Sequence, residues 1–476
     1  MRRDSTSLWA SLLSFTAVLG VGLSLAPGCG SDDDKKDGGV DDLFQKNANG
    51  GPCTGLACQV DACGGTGSTT TTVSGTVYAP NGTLPLYNVV VYVPNAPLDP
   101  LPEGASCDRC GNVSGDPITT TLSDVNGRFT LKNVPTGANI PLVIQVGKWR
   151  RQITIPEVKK CADTPLDKSL TRLPKNQSEG HIPKIAATTG RCDHLACLLP
   201  KLGLDASEYS APGGSGRLNI FRGAAHKGPH DAAPVPAPAP NGSPDATALW
   251  NSVDTLKAYD MVLLSCECGE HEEMKSPAAK SALYDFAKLG GRVFSSHYHY
   301  TWFQNSPAPE VRGVAQWAGD GKAPGGDVPP FFVDDSFPKG KALSEWLSNV
   351  GASPQKGVIP INQARSDVIG VSKPQSTRWV YNKPFILPET TKYLSFNAPV
   401  DKSWDQQCGK VVFGDMHVTQ TDLNDKQNGT TLPDDGFPGT CPSELTPEEK
   451  ALIFFFFDLS SCVQKEDDTP VAPPPK

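Results

Sequence analysis

The chain is poor in charge and poorer still in the signatures of common enzymes. Charged residues make up 20% of its 476 positions, and the formal charge is −8. No large basic block interrupts that balance, which argues against a general nucleic-acid binder. G-x-S-x-G, a Walker loop and G-x-G-x-x-G after a strand are all missing, so serine-hydrolase, P-loop and dinucleotide sites are not indicated. His271-Glu272-Glu273 has no second histidine at zincin spacing. Asp124 and Asn126 lack the closing glutamate of a calcium loop and read as turn formers. The βα units number about five, short of the eight that an α/β barrel needs. What is plentiful is Gly (46) and Pro (44), which favours loop-rich, β-rich structure. The length calls for two or three domains.

The N-terminus carries the sharpest signal. Arg2 and Arg3 precede an apolar run from Leu8 to Ala26, followed by Pro27-Gly28-Cys29-Gly30-Ser31. Basic, apolar and small residues in that order describe an export signal, and a cysteine after small residues resembles the bacterial lipoprotein signal. That resemblance implies removal of residues 1–28 and lipidation of Cys29. A transmembrane helix is the alternative, but serines, glycines and Pro27 make a poor anchor. Cleavage removes two positive charges and one negative, taking −8 to −9. The expected address is the bacterial cell envelope, at the outer membrane or cell surface rather than the inner membrane. The lipid on Cys29 would make the membrane a partner.

That address governs the remaining thirteen cysteines, because disulfides are the default in an oxidising compartment. The expected disulfide pool is Cys53, Cys58, Cys63, Cys107, Cys110, Cys161, Cys192, Cys197, Cys408, Cys441 and Cys462. Cys266 and Cys268, one residue apart, read as oxidised elsewhere or buried rather than as catalytic thiols. The odd count leaves at least one thiol free or paired between chains. Cys107-Asp-Arg-Cys110 has metal-like or redox-like spacing, yet no histidine follows at finger spacing, so it reads as structural disulfide.

Residues 29–68 form an acidic tether with Cys53, Cys58 and Cys63 at its end. Residues 69–175 read as an all-β sandwich, with alternating runs separated by Asn81-Gly82, Asp124-Val-Asn126-Gly127 and Asn133-Val-Pro135. The run SGTVYAPNGTLPLYNVVVYV followed by TLSDVNGRFTLKNVPTG resembles the carboxypeptidase regulatory-like domain, a transthyretin-like sandwich. The resemblance implies a spacer, adhesive or carbohydrate-binding-like module without catalysis. Lys148-Trp149-Arg150-Arg151 is its candidate ligand patch, for an anion or glycan, unless these are simply solvated strand residues.

Residues 180–463 alternate strand and helix signals, and 464–476 read as a disordered Pro-rich tail. Ser276-Pro277 and Thr446-Pro447 start helices, and ALIFFFFDLSSC, apolar on nearly all sides, should be buried. Residues 304–340 read as an irregular excursion. Tyr259-Asp260-Met-Val-Leu-Leu, Leu289-Gly-Gly-Arg-Val-Phe-Ser-Ser-His297 and Gly409-Lys-Val-Val-Phe-Gly-Asp-Met-His417 resemble the class I glutamine amidotransferase-like fold, in its trehalose-utilisation-protein-like branch. The implied architecture is a flavodoxin-like α/β domain. The family's nucleophilic cysteine has no counterpart at Ser295-Ser296-His297-Tyr298-His299, so its amidase mechanism does not carry over.

Ligands in open α/β sheets sit outside the carboxyl ends of the strands. Glu267, His297, Tyr298 and His299 are therefore the candidate pocket or catalytic residues. His297, His299, Asp415 and His417 are the candidate metal ligands, a set suited to zinc or iron; a polar pocket without metal is the competing reading. Two functions follow. One is a lipid-anchored envelope protein with a binding or structural role, with a glycan or another envelope protein as partner and no nucleic acid. The other is a metal-dependent envelope hydrolase or sugar-processing enzyme.

Overall fold

The computed structural model describes residues 53–64, 70–193, 195–227, 233–234, 236–237, 239–324, 329–361, 364–417 and 444–476. Cys29, the export signal, most of the tether and Cys441 lie outside the described residues. Alternation of apolar and polar residues between turn formers builds the first half. Among the described residues it has seven strands: β1 (Thr72–Thr76), β2 (Val90–Pro94), β3 (Pro117–Leu122), β4 (Arg128–Lys132), β5 (Gly137–Val146), β6 (Trp149–Val158) and β7 (Asp163–Pro165). They form two sheets, ordered β4-β1-β7 and β3-β2-β5-β6. Val73, Phe129 and Leu131 from the first join Val91, Leu142, Ile144 and Ile155 from the second in one buried core. Asp124 makes the turn expected of it, its carboxylate accepting from the N–H groups of Asn126 (2.8 Å) and Arg128 (2.9 Å).

The second half is organised by a ten-stranded mixed sheet. Its strands, with the small flanking pair β13 and β16, are β8 (Ile185–Thr188), β9 (Tyr209–Ser210), β10 (Leu218–Phe221), β11 (Met261–Leu264), β12 (Arg292–Ser296), β13 (Ala315–Trp317), β14 (Phe331–Val333), β15 (Val358–Ile359), β16 (Val368–Val371), β17 (Thr377–Asn382), β18 (Thr390–Ala398) and β19 (Gly409–Gly414). The sheet order is β15-β14-β17-β18-β19-β12-β11-β8-β10-β9. β10, β8, β11, β12 and β19 are parallel neighbours. Numbered by their own succession, they stand in the order 2-1-3-4-5. β18, β17, β14 and β15 extend the block as antiparallel neighbours. The stretch 304–340 is thus not all irregular: β13 and β14 fall within it, each three residues long and too short for a periodic signal.

Helices cover this sheet where the caps placed them. Pro277–Lys288 starts with Ser276 Oγ accepting from the Ala279 N–H at 3.1 Å. Pro447–Ser460 starts with a capping box between Thr446 and Glu449. Between β10 and β11 the chain forms two single turns, Thr247–Trp250 and Val253–Leu256, and Ser252 caps the second one. No helix among the described residues is long and apolar enough to cross a membrane.

The two halves share one continuous core, and the Pro447–Ser460 helix lies at its centre. Its four consecutive phenylalanines point in different directions. Phe454 stacks on Tyr87, with ring centres 5.8 Å apart, and Phe455 stacks on Tyr393 at 4.3 Å. Phe456 and Phe457 meet Trp149 edge-on at 6.2 and 5.9 Å. Gly147, at φ 52°, lies so close to the helix's last turn that a Cβ would collide with the Ser460 carbonyl.

This packing overturns the proposed ligand patch. Trp149 is fully buried in the seam. Lys148 is paired with buried Asp260 and donates to the Pro102 carbonyl at 2.8 Å. Arg150 donates to the Asp99 carbonyl (2.8 Å), and Arg151 to the Ser169 carbonyl (3.1 Å). Trp149 shares the inward face of β6 with Ile153 and Ile155, whereas Gln152 and Thr154 on the other face are exposed.

The tail is corrected as well. Residues 464–476 are not a free end: Gln464 accepts from Asn397 at 3.1 Å, and the Lys476 N–H donates to the Pro117 carbonyl at 2.8 Å. Glu466 joins a buried group of alternating charges in which Lys339 and Lys410 each contact both Asp458 and Glu466. Apolar composition is low there, so composition alone hid the charge pairing.

Disulfides cross the halves. Cys107–Cys408 and Cys110–Cys462 span 301 and 352 residues, so the Cys107-x-x-Cys110 pair closes on two distant partners rather than on itself. Cys53–Cys58 is a local loop, whereas Cys63–Cys161 staples the tether's end to the all-β half.

The charge group predicts an acid-sensitive seam. Burial alone would raise the Asp458 carboxyl, but Lys339 and Lys410 outweigh it and hold it at about 2. A depressed folded-state value means stability that is present above the unfolded value, about 3.9, and lost as pH falls towards 2. Thermal melts followed by circular dichroism should show the loss in that window. Asp458→Asn should remove this component and cost about 3–5 kcal/mol at neutral pH, because two buried lysines lose a partner.

Candidate functional site

The carboxyl ends of β8, β11, β12 and β19 deliver their following residues to one place. β8 exits through Gly190, which packs against the Cys266 carbonyl so closely that a side chain would collide with it, and then places Cys192 and Asp193. β11 exits into Ser265, Cys266, Glu267 and Cys268. β12 exits into His297, and β19 into Asp415 and His417. All of these side chains are buried.

His297 takes φ 56°, a left-handed conformation costly for a side-chain-bearing residue, and then starts a short 3-10 turn, His297–Tyr300. The strain points its imidazole back over the strand ends. Its Nδ1 lies 3.3 Å from the Cys266 sulfur, and its ring lies 3.9 Å from that of His417. Tyr298 packs edge-on against His297 at 4.7 Å, with the Arg365 guanidinium 4.0 Å above its own ring. Asp193 accepts from Ser296 Oγ at 2.6 Å.

Burial, then His417 and Arg365, push the His297 imidazole well below its usual range. Burial also lowers His417, although Asp193 opposes it. The Cys266 thiol is pushed up, mainly by burial and next by Asp193. The pair therefore rests as neutral thiol and neutral imidazole, without the thiolate that a cysteine nucleophile needs.

Two of the predicted residues are engaged elsewhere. His299 has both ring nitrogens bonded: Nε2 donates to the Ser265 carbonyl (2.7 Å), and Nδ1 accepts from Trp302 Nε1–H (3.0 Å). Burial, followed by Lys275, lowers it to about 4. It orients the strand-end loop and cannot also hold a metal. Glu267 pairs with fully buried Lys275 at 2.7 Å and accepts from the Ala224 N–H at 2.8 Å. Burial opposes its charge, but Lys275, His299 and the Ala224 N–H together outweigh it and the carboxyl stays below its usual range.

Asp415 is a third correction. Its Oδ2 accepts from the Asp367 N–H at 2.7 Å. Burial and then the Asp367 carboxylate push its own carboxyl well above the usual range. It sits as a neutral acid beside Asp367, which is itself held by Arg365 at 2.8 Å. The quartet His297, His299, Asp415 and His417 therefore does not form a ligand set. Strand spacing put His297 and His299 on one face, but the chain leaves the strand at His297, and alternation ends there.

What converges instead is sulfur and imidazole. One donor atom each from Cys192, Cys266 and His417 lie within 4.8 Å of one another. Cys192 is bonded to Cys268, and Cys266 is the free thiol among the described cysteines. Asp193, Arg365 and Asp367 were missed by sequence reasoning. Asp193 follows a cysteine just past a strand end, a usable signal, whereas nothing local marks Arg365 or Asp367.

No protein-family model matches the chain, and no curated protein matches it. Among solved structures, two type II cohesin–X-dockerin complexes from Acetivibrio cellulolyticus are 16% identical. They cover 30% and 28% of this chain and 75% and 85% of theirs, at TM-scores of 0.15 and 0.16. A 9R-lipoxygenase from Cyanothece is 10% identical over 74% of this chain and 43% of its own, at 0.10. Likenesses at these scores carry no argument about fold or function.

The geometry predicts a protected thiol. In the full chain kept free of reductant, iodoacetamide should leave Cys266 unlabelled while the protein is folded and label it once guanidinium unfolds it. Peptide mass spectrometry reads both states. Rapid labelling of Cys266 in the folded protein would contradict the buried, neutral pair.

Proposed function

We propose that this is an exported cell-envelope protein, tethered through a lipid on Cys29, whose disulfide-stapled body has a binding or structural role and no catalytic one. The observation that carries the non-catalytic reading is the closure of the strand ends, where Cys266 is 0%, His297 6% and His417 8% exposed. The five disulfides among the described residues support an oxidising, extracytoplasmic address. Strand order 2-1-3-4-5 is that of flavodoxin-like sheets, and it supports reading the second half as an amidotransferase-like domain. The left-handed His297 then stands where that family carries its nucleophile, and an imidazole there performs no acyl transfer alone. The paired sheets of the first half support the transthyretin-like reading.

A binding role finds its best surface at the tip between β17 and β18. Phe385, Ile386 and Leu387 are three consecutive apolar residues with relative exposures of 102%, 87% and 51%. Exposed apolar clusters of this kind mark contact sites. The tip suits another envelope protein better than a glycan, since no polar side chain lies within the triplet. Lys383 and Glu389 flank it, 3.5 Å apart.

Fractionation tests the address. Cys29→Ala should move the protein from the membrane to the soluble envelope fraction, and the lipid-modified N-terminal peptide should vanish from its mass spectrum. Retention of the variant in the membrane would overturn lipid tethering. Phe385→Ser with Ile386→Ser should leave the melting temperature unchanged while abolishing crosslinks from the tip to its envelope partner. Unchanged crosslinks would remove the tip from that role.

A further inference from the structure

The disulfide Cys192–Cys268 and the thiol of Cys266 meet at the carboxyl ends of β8 and β11, and His417 reaches them from β19. A tetrahedral zinc holds sulfur at about 2.3 Å and imidazole nitrogen at about 2.0–2.1 Å, which puts neighbouring donors roughly 3.3–3.8 Å apart. Donors of Cys192, Cys266 and His417 already within 4.8 Å of one another need to close by only about an ångström. The third sulfur, that of Cys268, lies outside this group of three donors but is bonded to Cys192, so opening that bond frees it one bond length from a donor. Its backbone N–H also donates to the Cys266 sulfur at 3.5 Å, fixing the Cys-x-Cys turn around that atom.

We propose that Cys192, Cys266, Cys268 and His417 form a binding site for a thiophilic, tetrahedral cation of the zinc type, and that the Cys192–Cys268 disulfide is its locked state. The donor chemistry selects the cation class: three sulfurs and one imidazole suit zinc and disfavour magnesium or calcium, which demand oxygen. Four protein donors make a closed site with no position for an activated water, so the cation's role is structural or regulatory. In the disulfide form two of the three sulfurs are bonded to each other and unavailable as thiolates. The lock opens when a dithiol reductant donates two electrons and two protons. The S–S bond breaks, Cys192 and Cys268 become thiols, and the reductant closes its own disulfide. On binding, the three thiols release their protons to solvent as three metal–sulfur bonds and one metal–nitrogen bond form. His297, 3.3 Å from the Cys266 sulfur and with its ring centre 3.9 Å from that of His417, is a positioning residue. The Arg365 guanidinium over the Tyr298 ring stands beside the cluster and offsets the surplus negative charge of three thiolates around a dication.

Cobalt(II) is the probe, because thiolate ligation gives it charge-transfer absorption and a tetrahedral site gives it intense visible bands. The full chain is reduced anaerobically with a dithiol, desalted and titrated. One equivalent should develop both bands in the reduced protein, none should develop in the untreated protein, and zinc should bleach them. Cys266→Ser retains every disulfide-forming cysteine, so it controls for thiols freed elsewhere by the reductant, and it should lose about a third of the thiolate band intensity and bind cobalt more weakly. His417→Gln, a second route if that variant folds poorly, should weaken cobalt binding by on the order of tenfold. The proposal is overturned if reduced wild type shows no bands, if the untreated protein binds equally, or if wild type and Cys266→Ser give the same spectrum.

Discussion

The structure depends on burying one helix. Pro447–Ser460 carries aromatic side chains on all sides, so no single surface can cover it. It needs the all-β half on one side, through Tyr87 and Trp149, and the mixed sheet on the other, through Tyr393 and Trp379. Neither half can close its core while the helix is absent, which is why the two architectures share a core. Asp458 lies inside the same helix, and its carboxylate would be intolerable there unpaired. Lys339 and Lys410 answer it from two different elements, and Glu466 from the tail balances them. Apolar burial sets the helix's depth, and the charges set its register.

The parallel block then fixes where chemistry can occur. Its strands bring cysteine, histidine and aspartate to one edge, as open α/β sheets do. The edge is nonetheless dry and crowded, and its groups satisfy one another. Desolvation decides Cys266, His297 and Asp415, raising thiol and carboxyl and lowering imidazole, whereas paired Glu267 stays below its usual range. A site with that balance favours neutral partners or a tightly held cation over proton traffic with a substrate.

Much of this was legible in the sequence, and the failures have physical reasons. Ser276-Pro277 and Thr446-Pro447 marked helix starts because capping is local, and the Phe454–Phe457 run announced burial because no surface tolerates it. The parallel strands were legible as short apolar runs ending in polar residues. Trp149 was misread because a cationic, aromatic strand looks alike whether it faces a glycan or a neighbouring half of the chain. His299 and Asp415 were misread because side-chain spacing along a strand says nothing once the chain turns at His297. The ion quartet joins residues 339, 410, 458 and 466, and Arg365 meets Tyr298 across a large sequence gap. Pairings of that range are set by tertiary packing alone.

The bridges from Cys107 and Cys110 have a consequence for how the molecule is made. Their partners, Cys408 and Cys462, emerge late in synthesis. Until then the two early thiols stand two residues apart and are each other's nearest oxidisable neighbour. A premature bond between them would leave both late cysteines unmatched and the central helix without its covalent ties. Maturation therefore favours a compartment that reshuffles disulfides as well as making them, and the yield of native protein will track isomerase activity more closely than oxidant supply.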